Sequence, residues 1–118
     1  MVAVLLAILL LALQSFQERS ARSLLASGYA QEAFVLAGPP RAGNLGSLKL
    51  YAEICLELNK AALAVPHLQA NSAKDADGEI HQLLGKAYQQ MHRPTPAGLA
   101  FRRAAALRKA AAAGQPQR

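Results

Sequence analysis

Three turn signals recur along this chain at nearly equal intervals, and the residues around them repeat. Gly28, Asn59 and His92 stand 31 and 33 residues apart. Seven positions before each comes a small residue: Ala21, Ala52 and Gly85. Five positions after each comes an alanine: Ala33, Ala64 and Ala97. Small residues at fixed distances on either side of a turn let two helix backbones approach closely. The pattern therefore reads as a helical hairpin used three times. A single hairpin of this kind cannot bury its apolar stripe, so its neighbours must stack on it.

Composition points the same way. Ala and Leu account for 46 of 118 residues (26 plus 20), whereas Val, Ile and Thr together number eight and Trp is absent. Helices favour Ala and Leu; strands favour β-branched and aromatic side chains. An all-α fold is expected rather than a sheet-based enzyme fold. A chain of 118 residues suits one domain and leaves little room for an elaborate active site.

Turn residues divide the chain into helices. Ser15 to Ser27 reads as a helix ended by Gly28-Tyr29, and Tyr29 to Ala37 as a short second one. Gly38-Pro39-Pro40-Arg41-Ala42-Gly43 is the clearest break. Asn44 to Ser47 can cap the third helix, which carries Leu48, Tyr51, Ala52, Cys55, Leu56 and Leu58. Asn59-Lys60 suits a tight turn, and a fourth helix runs from Ala61 to about Ser72 with Pro66 in its early turns. Asp75 and Asp77 offer caps for a fifth helix over Ile80 to Gln90. Thr95-Pro96 predicts the start of a sixth, a hydroxyl cap followed by Pro at the first helical position, running to about Ala113. The resulting organisation is an apolar segment 1–14, three helix pairs over 15–43, 44–76 and 77–113, and a polar tail 114–118.

Met1 to Leu13 is an unbroken apolar run. As a helix it spans about 20 Å, against a hydrocarbon core of about 30 Å. That is short for a spanning helix and suits the core of a signal peptide. No basic residue precedes it, and no good small-x-small cleavage site follows it. It reads as a retained export signal, as a spanning helix that continues upstream, or as a helix packed on the domain. An all-round apolar helix is buried somewhere, in protein or in lipid. Membrane association or export is the expectation, with Glu18, Arg19 and Arg22 flanking the membrane.

The repeat resembles the tetratricopeptide repeat (TPR), a pair of antiparallel helices of about 34 residues. In the third pair the hallmark positions are taken by Leu84, Gly85, Tyr88, Ala97, Phe101 and Ala104. The second pair keeps Ala52, Ala64 and Leu68 but has Cys55 where Tyr is usual and Asn71 where Ala is usual. The first keeps Ala21, Gly28 and Ala33. The resemblance implies helix pairs stacked as a short right-handed solenoid, preceded by the apolar helix. It also implies a concave groove lined by the first helix of each pair. The groove positions correspond to Glu18, Arg22, Lys49, Glu53, Leu56, Gln82, Lys86 and Gln89, where a peptide or helix of a partner protein would lie. The subtype that clamps a C-terminal carboxylate is argued against, because Glu53 stands where Asn is wanted beside Lys49.

No arrangement of residues carries catalysis. His67, His81 and His92 form no metal-binding pair, and packing or exposure is expected of each. Asp75, Asp77 and Glu79 lack the remaining ligands of a calcium loop, so helix capping is expected of them. Glu53 and Glu57 read as a solvated helix face, and Gly43-Asn44-Leu45-Gly46 lacks the Lys of a phosphate loop. Cys55 is the sole cysteine and reads as a small buried hydrophobe. No catalytic, metal or cofactor residue is assigned; a binding scaffold is expected.

Charge is uneven. Up to Gly85 there are six basic and seven acidic residues; from Lys86 onward there are seven basic and none acidic. Arg102, Arg103, Arg108 and Lys109 make a basic face on the last helix. That face gives an alternative function, binding of anionic lipid or nucleic acid. Only three Tyr and three Phe are present to stack on bases, which counts against nucleic acid.

Overall fold

The computed structural model describes residues 1–114. Their secondary structure is helical, with no strand among the described residues. The elements are α1 (Val2–Ala26), α2 (Ala30–Ala37), α3 (Leu45–Glu57), α4 (Ala61–Ala70), a single 3-10 turn (Ser72–Lys74), α5 (Glu79–Gln90) and α6 (Pro94–Gly114). The tail expected over 114–118 lies outside the described residues except for Gly114, the last residue of α6. Two compact units result, one through Ile54 and one from Cys55, and the division falls inside α3.

The turns at Gly28, Asn59 and His92 share one geometry. All three residues are left-handed, with φ of 89°, 60° and 59°. In each turn that residue donates its N–H to the carbonyl three positions back: Leu25, Leu56 and Gln89. The next residue donates to the carbonyl five positions back, from Tyr29 to Leu24, Lys60 to Cys55 and Arg93 to Tyr88, each at 2.8 Å. This is the Schellman motif, which satisfies the last carbonyls of a helix. Glycine takes the left-handed conformation without penalty, Asn tolerates it, and His is the costliest of the three.

The first unit is formed by α1, α2 and most of α3. Helix α1 packs on α2, with Ala21 and Ala33 fully buried. Leu48, Leu50, Tyr51, Ala52 and Ile54 supply the buried side of α3. The Phe34 and Tyr51 rings meet at 5.8 Å between centroids, tilted by 35°. Asn44 caps α3 as expected, its Oδ1 accepting from the Ser47 N–H at 3.0 Å. The hydroxyl of Ser47 in turn accepts from the Arg41 N–H at 3.0 Å.

The apolar run and the helix expected from Ser15 are one element. No Gly or Pro occurs between Val2 and Ala26, so nothing interrupts the backbone ladder where the side chains change from apolar to mixed. Residues 1–13 are exposed throughout and do not pack on the domain.

In the second unit α5 packs on both α4 and α6. Its core takes Cys55, Ala61, Ala64, Leu68, Ile80, Leu84, Ala87, Ala97 and Ala104. Two glycines permit the closest approaches. A Cβ on Gly85 would sit 2.6 Å from the Phe101 ring, and one on Gly78 would sit 2.3 Å from the Ala104 carbonyl oxygen. Gly78 is also left-handed, with φ of 88°. Cys55 is buried, as its apolar surroundings in the sequence imply.

One helix start differs from expectation. Helix α6 begins at Pro94, and Thr95 lies inside its first turn. The left-handed turn at His92 sets the register: Ala97 already donates to the Arg93 carbonyl at 3.2 Å. Pro94 and Pro96 then both fall in the first turn, where N–H groups have no intrahelical partner in any case.

Candidate binding surfaces

The groove residues of the first unit lie on α1 and α3. Glu18 and Arg22 are one turn apart on α1, and Lys49 and Glu53 one turn apart on α3. Arg22 and Glu53 are exposed; Glu18 and Lys49 are half-buried. The Glu18 carboxylate pairs with the Arg41 guanidinium and accepts from Asn44 Nδ2 at 3.5 Å. The Arg22 guanidinium donates to the Gly46 carbonyl at 3.4 Å. These two side chains thus clasp the loop between α2 and α3 to α1.

In the second unit, Gln82, Lys86 and Gln89 follow one another along α5 at spacings of four and three, so they share a face. Lys86 and Gln89 are exposed and Gln82 half-buried, while Ile80, His81, Leu83, Leu84 and Ala87 fill the other side. This is an open polar stripe on a strongly two-sided helix. Leu56, in the last turn of α3, is half-buried. Its carbonyl accepts from Gln90 Nε2 at 2.9 Å, and Gln90 Oε1 accepts from the Ala61 N–H at 3.2 Å. One amide therefore closes both sides of the Asn59 turn. Sequence reasoning passed over Gln90, because no local pattern marks a side chain whose partners lie about thirty residues away.

Arg102, Arg103, Arg108 and Lys109 are all exposed on α6. Successive helical residues are rotated by about 100°. Arg102 and Lys109 consequently share one direction, Arg103 points to one flank and Arg108 towards the other. The four cations are spread around the helix rather than gathered on one face.

A second feature lies between the 3-10 turn and α6. Asp75 and His81 are buried there, with His81 Nδ1 at 2.7 Å from Asp75 Oδ2. The same oxygen accepts from the His81 N–H at 2.9 Å, and Oδ1 accepts from the Gly78 N–H at 3.0 Å. Burial acts to raise the Asp75 carboxyl; the hydrogen bonds from the backbone and ring of His81 and from the backbone of Ile80 outweigh it and hold the group below its ordinary value. Asp77 Oδ1 accepts from the Glu79 N–H at 3.1 Å. Both aspartates thus cap α5, as expected of them. The His81 ring completes the Asp75 cap, a role that its packing position alone did not disclose. A cleft of about 360 Å³ opens beside this pair, with Arg103 and Leu107 of α6 on its other side.

Comparison with known proteins adds no relative. No family model, curated protein or solved structure matches the chain.

Proposed function

We propose that this chain is a small non-catalytic binding module of the tetratricopeptide type. It takes a peptide or helix of a partner protein on the first helices of its pairs. The observation that supports this reading most is the triple recurrence of one turn. Each left-handed residue has a fully buried or closely packed small residue seven positions before it and an alanine, at most 2% exposed, five after it. The polar stripe Gln82–Lys86–Gln89 offers amide and ammonium groups that suit a peptide backbone and its side chains.

Helix α1 supports placing the module at a membrane. It is long and apolar enough to cross one or to act as a signal sequence, and none of its most apolar stretch is buried. Residues 1–13 are apolar and exposed on every side.

The test is affinity capture with the full chain in neutral detergent, washed at low and then high salt. A protein retained through high salt, and lost on changing Lys49, Leu56 and Gln89, supports the reading. Lipid or nucleic acid captured alone and released by salt replaces it with the basic-helix alternative, because phosphate contacts weaken steeply with ionic strength. The spread of the α6 cations argues against that alternative.

A further inference from the structure

We propose that the cleft between the Ser72–Lys74 turn and α6 is a second contact site, which receives an acidic side chain and an adjacent apolar side chain of a partner protein. This rests on the reading of the chain as a binding module but not on the groove. The cleft has about 360 Å³, the size of one or two side chains. Its walls combine Ala73, Ala106 and Leu107 with the Arg103 guanidinium and the His81–Asp75 pair.

Chemistry selects the occupant. Arginine presents a planar fork that matches a carboxylate through two parallel hydrogen bonds. The Asp75 carboxylate is buried and accepts from the Gly78 and His81 N–H groups and meets the His81 ring. His81 lines the cleft, and its Nδ1 is committed to Asp75. Leu107 and the two alanines take an apolar neighbour. No acidic residue follows Glu79, so every charged side chain on α6 is a cation, which favours an acidic segment. A membrane or a nucleic acid would need several cations converging on one surface, whereas Arg102, Arg103 and Arg108 point in different directions. The concavity also admits a side chain and not a flat polyanion.

The experiment is an amide-shift titration of the isotopically labelled full chain in neutral detergent micelles. The probes are the capped peptide acetyl-Glu-Leu-Glu-amide and its uncharged counterpart acetyl-Gln-Leu-Gln-amide. The acidic peptide is expected to give saturable shifts at Ala73, His81, Arg103 and Leu107, and to bind about tenfold tighter than the amide peptide. Arg103→Gln should erase that difference. Leu107→Ala should weaken both peptides alike. Arg103 is exposed, so its variant keeps the fold, which an unchanged spectrum away from the cleft confirms. Lys49→Ala and Gln89→Ala should leave the shifts intact, so loss of this site and loss of the groove are told apart. Equal binding of the two peptides overturns the proposal. So does stronger perturbation of the same residues by inorganic phosphate or by phosphatidylserine vesicles.

Discussion

The two units are held by different devices. In the first, polar contacts tie the loop between α2 and α3 to α1: Glu18 holds Arg41 and Asn44, and Arg22 reaches Gly46. In the second, helices close by steric fit, with Gly85 under Phe101 and Gly78 against the Ala104 backbone. A partly exposed ion pair contributes little, because water screens it and two long side chains lose freedom. A backbone contact with no space for one methyl group is unforgiving. The second unit should therefore be brittle to single substitutions at its glycines, and the first should tolerate loss of its charges.

The largest expected effect is at Gly78. Gly78→Ala combines a left-handed φ with a Cβ 2.3 Å from a carbonyl oxygen, and should cost about 3–4 kcal/mol. Gly28→Ala is its control. The φ is nearly the same, at 89°, but nothing lies within 4 Å of the added Cβ, so only the backbone penalty of about 1 kcal/mol remains. Thermal unfolding followed by circular dichroism compares them. Equal losses would mean that the close approach to α6 is not what Gly78 serves.

Next comes Asp75→Asn, which replaces a carboxylate serving three hydrogen bonds and should cost about 2 kcal/mol. The pH dependence has a defined sign. Asp75 titrates below its ordinary value of 3.8, so its contribution is complete above that pH and is lost as the pH falls through the lower, folded-state value. The wild-type chain should lose stability in that acid range, and the Asn variant should show a flatter acid limb in urea titrations at several pH values. Gly85→Leu should cost about 1–3 kcal/mol. The Phe101 ring that it meets is only half-buried and can yield, unlike the backbone facing Gly78.

Effects in the first unit should be small. Glu18→Gln is expected to change stability by about 0.5 kcal/mol, and less at high salt, as the partial exposure of both partners requires. A loss several times larger would show that the clasp organises the unit and would reverse the contrast between the two units. The smallest effect is a gain. His92→Gly relieves a left-handed side chain and should stabilise by about 0.5 kcal/mol once the greater freedom of glycine in the unfolded chain is subtracted. A matching gain at Asn59 should be smaller still, since Asn tolerates that conformation.

Much of this architecture is local and so was readable in advance. Breaks at Gly28, Gly38, Asn59 and His92 follow from the left-handed conformations these residues permit. The caps at Asn44, Asp75 and Asp77 are satisfied by backbone a few residues away. Ala21, Ala33, Ala52, Ala64 and Ala97 stand at fixed distances from those turns, and each is buried. The apolar run and the helix expected from Ser15 form one continuous element, because a change of side-chain polarity does not by itself interrupt the backbone ladder.

The sequence by itself determined the helical class, the order of the three recurring turns and the caps at Asn44, Asp75 and Asp77, because each depends on interactions within about one helical turn. Only the tertiary structure decided that Gln90 bridges both sides of the Asn59 turn, that Gly78 must leave room for the Ala104 carbonyl, and that Arg103 and Leu107 face the His81–Asp75 pair across a cleft. Those contacts join residues roughly twenty to thirty-five positions apart. No local pattern encodes them, since they exist only once the helices have packed.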